Sequence, residues 1–191
     1  MLARCSWAAA DGPRTDRLMT AYHDDEWGRP TIDDVELFER LILESFQAGL
    51  SWSTILRKRA AFRAAFGQFD PAIVAAFDDR DRARLMADAG VVRNRAKIDA
   101  TIGNAAGYLA ICREFGGFDA YLRTIVPTPA QPLPAGSMAG QIPAGTPTSI
   151  ALSKALQARG FRFVGPTITY AFMQSVGLVD DHLPGCFRYR G

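Results

Sequence analysis

From Leu37 to Val176 the apolar residues return at helical spacing, and capping residues and glycines cut the pattern into lengths. Asp33 and Asp34 can cap a helix in which Leu37, Leu41, Ile42 and Phe46 make one stripe. Gly49 interrupts it, and Ser51 opens a second helix carrying Ile55, Leu56, Phe62 and Phe66. Asp70-Pro71 sets an aspartate at a cap and a proline at the first helical position. The spacing predicts a short charged helix over 79–89, a long one over 93–115, and amphipathic lengths over 117–126, 149–158 and 166–176. Residues 124–153 carry no charge and many prolines and glycines, which suits a long irregular loop. Period-two alternation bounded by turn residues is found nowhere, so the fold class is all-α.

The 191 residues suit one compact unit with a substantial core. No apolar run approaches the roughly 18 residues that cross a bilayer, and 1–7 lack the apolar centre of a secretory signal. Three cysteines, an odd and sparse set, argue against a disulfide framework and for a reducing cytoplasm. The chain is expected to be cytoplasmic, off the membrane and monomeric. Charge is divided unevenly: residues 1–88 hold 12 Lys and Arg against 15 Asp and Glu, and residues 89–191 hold 10 against 5. The second part would face a polyanion, although so modest an excess serves solubility equally well.

Three constellations stand out. Cys5, His23, His182 and Cys186 use both histidines and two of the three cysteines, the donor set of tetrahedral zinc. A metal there would join the two ends of the chain; the alternative is two unrelated histidines beside ordinary buried thiols. Cys112 falls inside an apolar helix and reads as a small core residue. In 89–97, Gly90 leads a turn between two helices, followed by Arg93, Arg95 and Lys97. Backbone N–H groups and cations at such a turn favour phosphate oxygens, and a plain connection with a solvated basic face is the alternative. In 44–52, Glu44 shares the inward stripe of Leu37 and Leu41, and a buried carboxylate must be paired or used. Trp52, Tyr22, Trp7 and Trp27 could line a pocket around it, where a cationic ring would stack, or they could simply fill the core.

Taken in order, the segments 22–28, 44–52 with its Gln-Ala-Gly-Leu-Ser-Trp run at 47–52, 88–97 and 152–186 resemble the type I 3-methyladenine DNA glycosylases. The likeness covers nearly the whole chain and is weakest around 124–148. It implies a helix-hairpin-helix DNA glycosylase fold acting as one unit over 1–191, with the hairpin around 80–100. Its structural zinc, one Zn2+ ion, would sit on Cys5, His23, His182 and Cys186 and bind the segments 1–30 and 178–191 together. It implies hydrolysis of the N-glycosidic bond of 3-methyladenine in double-stranded alkylated DNA, with Glu44 as the active-site acid reading the adenine edge. Trp52 and Tyr22 would stack on the flipped base, with Trp7 and Trp27 nearby, and Gly90, Arg93, Arg95 and Lys97 would grip the DNA backbone. Leu50, on the turn after Gly49, is a candidate wedge for the gap left by the base. The uncharged stretch 124–153 supplies no aspartate for the transition state, as in this family, so a narrow range of destabilised N-alkyl purines is expected. Two departures stand against the pattern: a longer segment between Cys5 and His23, expected as a surface loop, and Met19 where the family often has a tyrosine. They leave a non-catalytic module that binds alkylated DNA as the alternative.

Overall fold

A computed structural model describes residues 2–8, 16–127, 130, 132–133 and 135–190. Nine α-helices occupy the described residues: α1 (Arg17–Asp25), α2 (Asp34–Gln47), α3 (Trp52–Ala65), α4 (Pro71–Ala75), α5 (Asp79–Ala87), α6 (Arg95–Phe115), α7 (Phe118–Arg123), α8 (Pro147–Ala158) and α9 (Pro166–Ser175). The one bridge of extended chain among them pairs Pro132 with Asp180.

The caps explain most of the boundaries. Asp33 accepts from the Glu36 N–H at the head of α2, Ser51 from Thr54 at α3, and Asp70 from Ala72 and Ile73 at α4. α6 begins at Arg95 because the Asn94 side chain caps it, two residues later than the apolar spacing predicts. α8 begins at Pro147, inside the expected loop, because Thr146 and Ser149 form a reciprocal capping box around a proline. α1 is a helix that the apolar pattern does not announce. Asp16 caps it, and Met19, Tyr22 and His23 make a helical face diluted by charged neighbours.

α2 is the centre of the molecule. Ten of its residues are buried, and it packs on α3, α6, α7 and α9. Leu37, Phe38, Leu41, Ile42, Leu43 and Phe46 lie in one core with Tyr108 of α6, Phe118 of α7 and Phe172 of α9. Tyr108 stacks on Phe118 at 4.1 Å between centroids, and its hydroxyl donates to the Asp34 carbonyl at 2.8 Å. A second, smaller cluster of Cys5, Tyr22, Trp27, Leu56 and Cys186 forms where the two ends of the chain meet α1 and α3. The site lies between these clusters. The expected surface loop between Cys5 and His23 falls at residues 9–15, outside the described residues.

Candidate active site and metal cluster

A cavity of about 300 Å³ opens beside α2, lined by Trp7, Met19, Tyr22, Trp27, Glu44, Gln47, Trp52, Ile142, Ala171 and Gln174. That is the lower end of small-molecule sites. Glu44, 3% exposed, enters it from α2, and its Oε2 has no hydrogen-bond partner among the described residues. Burial pushes the Glu44 carboxyl up to about 8, against the pull of Arg40. Tyr22 and Trp52 face each other at 5.2 Å with a tilt of 51°, and Trp7 meets Trp27 edge-on at 5.1 Å. Trp52 Nε1 is buried and also lacks a partner. All five residues read from the sequence as pocket candidates, Glu44, Tyr22, Trp52, Trp7 and Trp27, therefore share one cavity. Its unsatisfied carboxylate oxygen and indole N–H suit a flat ligand with polar edges. Met19 lines the same wall as a soft apolar contact. Gln47 could have been found from its i+3 relation to Glu44, whereas Ile142 and Gln174 had no local signal.

Four donors gather next to this wall. Cys5, His23, His182 and Cys186 are all buried, with ligand atoms within 4.8 Å of one another. Cys186 Sγ lies 3.4 Å from His23 Nε2 and 3.8 Å from His182 Nδ1, and Cys5 Sγ lies 3.8 Å from His182 Nδ1. The surroundings fit a cation. Burial holds both imidazoles below their ordinary value, His182 at about 4, so they stay neutral and ligand-ready. The Leu183 and Arg188 N–H groups each donate to a cysteine sulfur at 3.4 Å, contacts that favour thiolates. Without a cation, burial pushes the Cys5 thiol up to about 12, which a bound metal would reverse. His23 Nδ1 lies 2.8 Å from Asp24 Oδ1, and Arg4 holds both oxygens of that carboxylate. Asp24 is thus an orienting group, and Glu26 belongs to an ion-pair network with Arg40 and Arg59. Gly28 turns the chain here at φ +75°, where a Cβ would come within 2.8 Å of His182 Nε2.

The buried acid among aromatic rings thus stands beside a Cys2His2 cluster that joins distant segments. The family description of the methyladenine glycosylases matches residues 12–189. The chain belongs to that family. It is 48% identical over 190 residues to DNA-3-methyladenine glycosylase 1 of Escherichia coli (strain K12), spanning 100% of this chain and 98% of that one. Its structure resembles 3-methyladenine DNA glycosylase I from Staphylococcus aureus with a TM-score of 0.90 at 35% identity, covering 99% of each chain. It also resembles a variant of 3-methyladenine DNA glycosylase I in complex with 3-methyladenine, with a TM-score of 0.85 at 36% identity over 92% of this chain and 95% of that one.

The residues read for DNA contact separate in this family member. Arg93 and Arg95 are exposed beyond the turn between α5 and α6, Arg95 with Asp99 at 3.5 Å. Leu50 is 42% exposed, carried outward by Gly49 at φ +82°. Lys97 corrects the reading. It is buried, and its Nζ donates to the Phe46 and Ala48 carbonyls at 2.8 and 2.7 Å, so its charge completes the end of α2 and is not free for phosphate. Gly90 differs too: its N–H is taken by Asp88 Oδ1 at 2.7 Å, while Lys58 Nζ holds the Ala89 carbonyl at 2.8 Å. Its value is space, since a Cβ would meet Ala61 and Asp88 at 2.9 Å.

Proposed function

We propose that the Glu44 cavity receives 3-methyladenine flipped out of double-stranded alkylated DNA, and that the chain hydrolyses its N-glycosidic bond in base-excision repair. The observation that carries this reading is the buried Glu44 carboxyl, with an unpartnered oxygen, in a cavity walled by Tyr22 and Trp52. Methylation at N3 makes the purine cationic, so it gains from aromatic faces and from an acceptor carboxylate together. Glu44 reads the exocyclic amine; Tyr22 and Trp52 stack on the ring, with Trp7 and Trp27 closing the wall. The bond from the base to C1′ breaks with its electron pair moving to the purine, which cancels the purine's positive charge. Water adds to C1′ and releases a proton, leaving an abasic site. The catalytic demand is modest because the leaving group departs neutral, and the chain's residues act by extracting, orienting and selecting the base.

The α5–α6 turn serves as the hairpin of a helix-hairpin-helix, with Arg93 and Arg95 toward the phosphates and Leu50 toward the gap in the duplex. Cys5, His23, His182 and Cys186 hold one zinc ion, whose role is structural because four protein ligands leave no position for water. It ties 1–30 to 178–191 and so fixes Tyr22 and Trp27 at the pocket wall. The chain works as a cytoplasmic monomer; no helix of the described residues is long and apolar enough to cross a membrane.

Methylated DNA incubated with the protein should release free 3-methyladenine and gain abasic sites, and Glu44→Gln should slow release by about 10–100-fold, the worth of a charged hydrogen bond. Tight binding of alkylated DNA without base release would refute turnover. Elemental analysis should give about one zinc per chain, and a Cys186→Ser variant that kept full zinc would refute the assigned ligands.

A further inference from the structure

One helical turn before Glu44 on α2 stands Arg40, only 3% exposed. Its Nη2 donates to Glu26 Oε2 at 2.8 Å and to Glu36 Oε1 at 2.9 Å. Its Nε and Nη1 are buried with no partner among the described residues, as is Glu44 Oε2. The guanidinium carbon lies 5.5 Å from the centre of the Tyr22 ring, which lines the cavity. Residues four apart share a helix face, so the two orphaned donors and the orphaned acceptor belong to one side of α2.

Beyond Arg40 the charges close among themselves. Arg59 pairs with Glu26 at 2.6 Å and with Glu39 at 2.5 Å, and Arg63 pairs with Glu39 at 2.9 Å. Three guanidiniums thus meet Glu26, Glu36 and Glu39, and Glu44 is a buried acid with no ion pair among the described residues. Other polar groups near it are few. α1 contributes the Tyr22 phenol, whose pKa burial and Glu44 push up, so it stays neutral. Glu26 follows α1. Lys97 of α6 lies at the same C-terminal end of α2 as Glu44, where its Nζ is bound to the Phe46 and Ala48 carbonyls, and α9 presents Gln174, whose amide donates to Asp181 at 2.7 Å. α3 presents Trp52.

We propose that Arg40 is a charge-balancing residue of the cavity: its buried guanidinium offsets part of the cost of ionising Glu44, so that the carboxylate form stays within reach when the pocket meets a cationic purine. It rests on the reading of the cavity as the site of the flipped base. Arg40 does not line the cavity, so it acts through Glu44 and Tyr22 as a positioning residue. Leaving two of its nitrogens unpaired would otherwise be a cost without return. Burial alone drives Glu44 toward its neutral form, and Arg40 is the opposing charge. A protonated Glu44 would still fit the cavity and would lose its attraction for a positive ring.

The test is a carbon NMR titration of the Glu44 carboxyl, assigned with Glu44→Gln, in wild type, Arg40→Met and Arg40→Lys. Arg40→Met should raise the titration midpoint by about one pH unit or more, and Arg40→Lys should stay near wild type. The acidic limb of kcat/KM for 3-methyladenine release should move with the midpoint, whereas a purely structural loss would lower rates equally at every pH. Glu36→Gln, at a half-buried position, frees Arg40 from one counter-charge and should lower the midpoint; it decides the matter if Arg40→Met does not fold. An unchanged midpoint in Arg40→Met, or no lowering in Glu36→Gln, overturns the proposal. If wild type releases no 3-methyladenine, the reading of the cavity falls, and the titration still decides the role of Arg40.

Discussion

Glu44→Gln separates what the carboxylate does in the site from what it costs the fold. The group is buried on α2 with one oxygen unpartnered, and its pKa stands near 8 against an ordinary 4.5. Because the folded value is the higher one, the native chain binds the extra proton. Stability is therefore unaffected below about pH 4.5, falls as pH rises, and reaches its full loss above about pH 8. At pH 7 the unfolded carboxyl is almost wholly ionised and the folded one mostly protonated, a penalty on the order of 3 kcal/mol. Glutamine keeps the shape and carries no charge, so it removes that penalty. For a chain of this size, about 3 kcal/mol corresponds to roughly 6–12 °C in Tm. Thermal and urea denaturation of both proteins at pH 5, 7 and 8.5 would measure the offset, with other titrating groups cancelling in the difference. The variant should be more stable, by a margin that widens with pH, while releasing 3-methyladenine more slowly. An offset that is zero or constant across pH would refute the reasoning, since it would mean that the carboxylate is fully compensated in the fold.

The other expectations concern the surroundings of the site. Asp24→Ala removes the acceptor that orients His23 and should weaken zinc binding by about 10–100-fold in a chelator competition, with helix content retained. Lys97→Met leaves the Phe46 and Ala48 carbonyls without their donor and should cost about 1–3 kcal/mol in urea unfolding, leaving the salt dependence of DNA binding unchanged. Arg93→Ala should do the reverse, flattening the slope of log K against log salt by about one with no change in Tm. Gly28→Ala should cost at least about 1–2 kcal/mol for the left-handed backbone and lower the zinc content, because the new methyl meets His182.

Much of the architecture was legible in the chain alone, because it is written locally. Asp33, Ser51 and Asp70 start their helices as capping chemistry requires, and the α2 stripe buries Glu44 as its spacing implies. α1 escaped because it borrows its stability from packing against Cys5, Cys186 and the aromatic wall, so its own apolar stripe is thin. The Thr146–Ser149 box lay in the sequence but was masked by the proline-rich stretch around it.

The sequence by itself determined which chemistry was present: two histidines, two cysteines, an inward acid and four pocket aromatics. Folding decided which of them meet. Cys5 and Cys186 lie at opposite ends of the chain, and no local rule carries information over that distance. Folding also decided which charges are free. Lys97 and Arg93 belong to one basic run, yet α6 turns Lys97 inward to the end of α2 and leaves Arg93 in solvent. Arg40 carries no signal in the sequence; packing buries it beside Tyr22 and one turn from Glu44. A side chain's charge is a property of its residue type; the dielectric and partners that give that charge its effect exist only once distant segments have closed around it.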